Sequence, residues 1–294
     1  MKKIGCILIA ISLLIAGCAK TDNYSPIGSN FWLKMGGKSI VTASDIDFYD
    51  ISTHMIYLKN EAPYLKNVFQ GGSISVNVKD DEIYTCSFHS LHLSTAPQGA
   101  YISCSPSFYP DDIIRINFMQ FIDANGKPQC TDPRADKRII AALKKDRLYH
   151  EGLRCEIQSV NYSNGKLVLN IELSNPDTFD YYYLDPDKMG IGLFHYFTNG
   201  PYFWNNQNQS FTHQETVIHP VPWNSWEKGW LSLIKSGERK KITINYQHFD
   251  IIPAGKYKML FCFPDIFWIS QKDRILKDGR IWMGSICIEK DITI

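Results

Sequence analysis

CEIQSVNYSNGKLVLNIEL, residues 155–173, decides the fold class. In its second half Leu167, Leu169, Ile171 and Leu173 point one way, while Val168, Asn170 and Glu172 point the other. That period of two is the mark of a strand with one buried face. Asn164-Gly165 sits between the two runs, and this pair tolerates positive φ at both centres of a tight hairpin turn. A β-hairpin is therefore expected here, and similar patterns recur on both sides of it.

Downstream, Ile242-Thr243-Ile244-Asn245-Tyr246 alternates, and Pro253-Ala254-Gly255 turns the chain. Tyr257, Met259, Phe261 and Phe263 then share a face, and Ile281–Ile288 reads as a last strand. Residues 153–294 are thus expected to form an all-β domain. Upstream, Asp45–Leu58 reads as one bent strand or two short ones. Ile74, Val76 and Val78 share a face, Asp80-Asp81 turns, and Ile83–Phe88 returns. Tyr101–Cys104 and Ile113–Phe121 add strands, and Asn125-Gly126 is a turn. Pro133–His150 reads as a helix, with Ile139, Ile140, Leu143 and Leu148 as its apolar stripe and Gly152 past its end. Residues 41–152 are expected to form a β-rich domain with this one helix. The fold class is mainly β.

The run Ser236-Gly237-Glu238, Ile242-Thr243-Ile244, Pro253-Ala254-Gly255-Lys256-Tyr257 resembles the late strands of immunoglobulin- or fibronectin-like sandwiches. The resemblance covers about a tenth of the chain and implies that Tyr257 forms a tyrosine corner. It also departs from true immunoglobulin domains. Met259 stands where their second cysteine would lie, so an inter-sheet disulfide of that kind is not implied.

At the N-terminus, Lys2 and Lys3 precede the apolar run Ile4–Ile15, which ends in Ile15-Ala16-Gly17-Cys18. The run is too short to span a bilayer, which takes about 20 residues. It has the form of a secretory leader. Its last four residues resemble the lipobox of bacterial lipoproteins. The resemblance implies that 1–17 is a signal peptide, that Cys18 is acylated after cleavage, and that the protein is held in the cell envelope. Ala19 and Lys20 follow without an aspartate, which in Gram-negative sorting looks like outer-membrane delivery. Residues 18–40 read as a lipidated tether, broken by Ser25-Pro26, Gly28-Ser29 and Gly36-Gly37, with Phe31, Trp32 and Leu33 available to dock.

The chain has 294 residues; without the leader, 294 − 17 = 277 remain, enough for two domains of about 150 residues. Its formal charge is +1, or +1 − 2 = −1 once Lys2 and Lys3 are removed, so nucleic-acid binding is not indicated. In an oxidising compartment Cys86, Cys104, Cys130, Cys155, Cys262 and Cys287 are candidates for disulfides. Six cysteines allow 15 pairings. The simplest joins neighbours (86 with 104, 130 with 155, 262 with 287), and the competing reading is buried free thiols.

The chemistry-bearing stretch is 180–230. Asp180, Tyr181-Tyr182-Tyr183 and Asp185-Pro186-Asp187 lead into Phe194-His195-Tyr196-Phe197. Then come Tyr202-Phe203-Trp204, the amide loop Asn205–Gln209, and Trp223, Trp226 and Trp230. Aromatic faces beside amides suit a sugar, since rings stack and amides both donate and accept. Tyr202, Trp204, Asn206, Trp223 and Trp226 are the candidate ligand-binding residues; the competing reading is core packing. Asp185-Pro186-Asp187, near Asp177 and Asp180, reads as a stiff acidic turn, because it lacks the calcium-loop pattern. His89/His92 and His213/His219 lack a third ligand, no two of the six cysteines are spaced C-x₂-C, and no H-E-x-x-H occurs. Gly190-Ile191-Gly192 lacks the third glycine of a dinucleotide fingerprint. No cofactor, metal or catalytic set is read. The basic residues of 134–147 read as a solvated helix face. Three functions follow: a non-catalytic envelope lipoprotein that binds a glycan or protein partner, a lipid-anchored hydrolase of envelope or dietary polymers, or an assembly lipoprotein of an outer-membrane complex.

Overall fold

A computed structural model describes residues 30–62, 72–90, 92–104, 108–120, 128, 130–198, 200–266 and 268–294. The leader, Cys18, the first part of the expected tether and the Asn125-Gly126 turn lie outside the described residues. Strand makes up 47% of the chain and helix 11%, which places it in the mainly-β class.

The first half builds one nine-stranded sheet. Its strands are β1 (Phe31–Met35), β2 (Lys38–Thr42), β3 (Ile46–Asp50), β4 (Met55–Leu58), β5 (Ser73–Val78), β6 (Asp81–Ser90), β7 (Gly99–Cys104), β8 (Ile113–Met119) and β9 (Tyr149–His150). In space they run β2-β1-β5-β6-β7-β8-β4-β3-β9, antiparallel except at β6–β7 and β3–β9.

Three expectations change here. Residues 31–40 are not tether but the β1–β2 hairpin and part of the sheet; Phe31 and Leu33 are fully buried. The Gly36-Gly37 break is the hairpin turn, both glycines at positive φ. The face of β5 is not a clean alternation either. A register shift after Val76 turns Asn77 inward, where its amide bonds Ser75, and leaves Val78 half-exposed. Finally, the helix is shorter than 133–150. Helix α1 spans Lys137–Lys145, capped at its start by the Asp136 carboxylate and stopped at Asp146. Arg147 then takes positive φ and the chain leaves as β9.

The second half contains β10 (Arg154–Ser163), β11 (Lys166–Ser174), β12 (Tyr181–Leu184), helix α2 (Pro186–Met189), helix α3 (Ile191–Thr198), β13 (Tyr202–Trp204), β14 (Ser210–Phe211), β15 (Leu231–Ile234), β16 (Arg239–Tyr246), β17 (Lys256–Phe263), β18 (Ile275–Leu276), β19 (Gly279–Ile281) and β20 (Ile286–Thr293). They form three sheets, β10-β11-β16, β15-β12-β19-β18 and β14-β13-β17-β20. The opening hairpin is present, with Asn164 and Gly165 both at positive φ and Leu167, Leu169, Ile171 and Leu173 buried. This half is not all-β, because α2 and α3 interrupt it. The acidic turn is the start of α2: Asp185 caps it and Pro186 takes the first helical position, where no N–H is needed.

Two cores result. One lies between the nine-stranded sheet and α1. The other fills the second half but also takes Phe48, Met55, Tyr57 and Ile113 from the opposite face of β3, β4 and β8. These strands are therefore apolar on both faces. Residues 274–282 close the joint: Arg274 pairs with buried Asp112, Trp282 Nε1 donates to Asp50 at 3.0 Å, and Arg280 lies over the Phe48 and Phe179 rings.

Among the cysteines, Cys262 and Cys287 face each other across β17–β20 and form a disulfide. Cys86, Cys104, Cys130 and Cys155 are free thiols, so the pairings 86–104 and 130–155 do not form. Cys104 is level with Ser90, four residues along β6 from Cys86. That offset is about 13 Å, beyond disulfide reach. Cys155 packs into the second core, where burial pushes its thiol up to about 12.

Candidate functional site

The five candidate residues do not form one platform. Tyr202, Trp204 and Asn206 meet at one place, Trp223 lies at another, and Trp226 is half-buried against the second core.

The first place is built on three paired strands. In β13, alternation buries Phe203 and turns Tyr202 and Trp204 outward, their rings 5.8 Å apart. Trp204 opposes Lys258 on β17, and Lys258 opposes Asp291 on β20. Two pairs further along, on the same face, Lys256 opposes Thr293. These residues line an open groove of about 450 Å³ with Asn205 and Asn206 at its end. Asn205 is spent on the loop itself. Its Oδ1 accepts from the Gln207 and Gln209 amides at 2.9 and 3.0 Å, and its Nδ2 donates to Gln209 Oε1 at 2.8 Å. Asn208 takes the left-handed conformation that asparagine tolerates. The loop is thereby held by its own bonds, and the exposed Asn206 amide faces water without a partner among the described residues. Lys258 bonds Glu289 across the strands, whereas Lys256 has no partner among the described residues. Arranged in this way, the groove offers a ring face, an amide, an ammonium, a hydroxyl and one carboxylate.

The second place is built on a loop. Residues 214–226 cross α3, and Ile218 N donates to the Gly192 carbonyl at 3.0 Å. A Cβ on Gly192 would sit 2.6 Å from the Thr216 carbonyl, so only glycine permits this approach. Tyr196 OH donates to the Trp223 carbonyl at 2.8 Å, and Ser225 N to that of Pro222. Trp223 stands edge-on to Trp268 at 6.1 Å, and Trp268 meets Phe108 at 6.4 Å. With Tyr196 and Phe197 they surround a cleft of about 250 Å³, where Asn224 and Ser225 are the amide and hydroxyl. Behind Phe108, buried Asp265 accepts from Tyr109 OH at 2.5 Å and from Arg115 at 3.3 Å. Burial raises the Asp265 carboxyl and the Arg115 charge opposes that rise. Phe108, Tyr196, Phe197 and Trp268 were not among the candidate residues; Phe108 and Trp268 come from stretches far along the chain and reach Trp223 only by tertiary packing.

Two buried clusters lie outside both places. His195 and His213 stack with ring centres 3.2 Å apart, beside Tyr246. Among the described residues both His195 ring nitrogens, His213 Nδ1 and Tyr246 OH lack hydrogen-bond partners. Burial, then the neighbouring His213, pushes His195 down to about 3; burial also lowers His213. The sequence reading linked His213 to His219 instead, because a strand spacing says nothing about a helix partner 18 residues upstream. The other cluster is His150, whose Nδ1 lies 2.7 Å from Asp177. Burial raises Asp177, but bonds from His150, the Gly152 amide and Tyr181 outweigh it and hold the carboxyl at about 2.

Among the described residues no group of three or more His, Cys, Asp or Glu is placed to hold a metal, and no helix is long and apolar enough to cross a membrane. No protein-family model matches the chain, and no curated protein matches it.

Proposed function

We propose that this chain is a non-catalytic, lipid-anchored protein of the bacterial cell envelope that binds a glycan in the groove beside Trp204. The observation that carries the reading is the row Trp204–Lys258–Asp291 across three strands, ending at the unpaired Asn206 amide. A sugar presents an apolar ring face and a rim of hydroxyls. The Trp204 ring takes the first, and Asn206, Lys256 and Thr293 take the second. Hydrolysis of a glycosidic bond ordinarily uses two carboxylates; the groove lining carries one, Asp291, which favours binding. The lipobox-like Ile15–Cys18 supports the envelope assignment. An immunoglobulin-like sandwich is the proposed frame of the second half. Its support is Tyr257, whose hydroxyl donates to the Pro253 carbonyl at 2.8 Å as a tyrosine corner does.

Screening the full chain on a carbohydrate array tests the reading. Binding that Trp204→Ala weakens about tenfold is expected. Array binding that survives Trp204→Ala and Asn206→Ala together would remove the groove as the site.

A further inference from the structure

We infer that the apolar loop 217–223, with Trp268 and Phe108 beside it, docks on the surface of a lipid bilayer. The inference rests on the lipid-anchored reading but not on the glycan groove.

Exposure is the first ground. Val221 is 92% exposed, Ile218 57%, Trp223 55%, Phe108 41% and Trp268 38%. Apolar side chains grouped on a surface in this way mark a contact with something apolar. Their shape and chemistry select what that something is. Val221 and Ile218 are exposed on the same irregular loop that carries Trp223, so aliphatic side chains precede the ring cleft along the chain. Among the described lining residues the polar groups are few: the Asn224 amide, the Ser225 hydroxyl, two indole N–H groups and the Tyr196 hydroxyl, which already donates to the Trp223 carbonyl, so a hydroxyl-rich ligand finds few partners there. Hydrocarbon needs no such partners. Tryptophan is the residue best suited to the boundary between headgroups and acyl chains, where its ring is apolar and its N–H stays wet.

Charge is the second ground. Val217–Trp226 contains no Asp, Glu, Lys or Arg. Glu215, on one flank, turns its carboxylate to the Gln247 and His248 amides. Glu227 and Lys228, on the other flank, cancel each other in formal charge. Nothing in the loop itself has to shed a charged hydration shell on entering the interface.

Reach is the third. From Cys18 to Asn30 is 30 − 18 = 12 residues, a span of at most about 40 Å. A body held that close meets the bilayer at high effective concentration, so a shallow contact suffices.

The test uses the full acylated chain in phosphatidylethanolamine–phosphatidylglycerol vesicles whose acyl chains are either plain or brominated. Bromine quenches only tryptophans at the acyl boundary. The expected result is quenching that falls at least about threefold in the Trp223→Phe, Trp268→Phe double variant. The same fall is expected in Val221→Asp, which keeps every tryptophan and changes a side chain already in water. Quenching equal in wild type and Val221→Asp, or none in wild type, overturns the docking while leaving the anchor in place. A chain that does not sediment with the vesicles overturns the anchor, and the docking with it. A soluble oligosaccharide that shifts Trp223 emission equally in wild type and Val221→Asp would reassign the cleft to a glycan.

Discussion

Trp204 and Trp223 stand in the same half of the chain, 19 residues apart, yet their surroundings differ in every respect that matters to a ligand. Trp204 sits in a strand, half-buried, with a lysine, an aspartate and a threonine set beside it by register. Trp223 sits more than half exposed on an irregular loop that also carries exposed Val221 and Ile218, and shares its cleft with four further rings. A ring among donors and acceptors suits a ligand that is apolar on one face and polar at its rim. A ring among aliphatics suits hydrocarbon. The lesson is that an aromatic cluster has no function by composition alone; its neighbours decide what it binds.

The largest expected effect removes both regions at once. Trp282 fills the joint between the two cores and satisfies buried Asp50. Trp282→Ala should cost about 3–5 kcal/mol, read as a lowered urea midpoint, with glycan and vesicle binding lost together. If only one activity were lost, the regions would not share this joint.

Acid should separate them. His195 binds a proton more weakly folded, at about 3, than unfolded, near the ordinary 6.5. Its contribution is therefore complete above 6.5 and is lost as pH falls toward 3, by about 2 kcal/mol at pH 5. His213 acts in the same direction. Its backbone bridges to Phe249 just before the apolar loop, so hydrogen exchange should rise in 213–226 before it rises in β13. A pH-independent unfolding free energy between 7 and 5 would contradict the buried pair, and His195→Phe should flatten the acid slope.

Within the groove, Trp204→Ala should weaken glycan binding about tenfold, about 1.4 kcal/mol, with little change in the unfolding midpoint. Trp223→Ala should leave that affinity unchanged. Smallest of all, Asn206→Ala should cost about 0.5–1.5 kcal/mol of binding, measured by calorimetry, through one lost hydrogen-bonding group.

Some of this was legible in the residues. The 155–173 hairpin announces itself, since its turn and its alternation are local and agree. Strands β1 and β2 do not, because β1 finds its partner β5 some 40 residues later and the intervening glycines look like a linker. Helix α3 hides because IGLFHYFT is rich in residues that favour strands; tertiary packing overrides that preference. Trp204 and Asn206 were visible as candidates. Lys256, Lys258, Asp291 and Thr293 were not, since only cross-strand register brings them to the ring. Trp226 is half-buried against the second core, the packing that the competing reading of the aromatic stretch gives it.

The division of labour between the two regions can be read directly from the seven tryptophans. With the indole nitrogens isotopically labelled, each gives one resonance. Adding the glycan found on the array should move the Trp204 signal and leave Trp223 and Trp268 in place; adding phospholipid nanodiscs should do the reverse. A glycan that moves Trp223, or nanodiscs that move Trp204 as much as Trp223, would contradict the account.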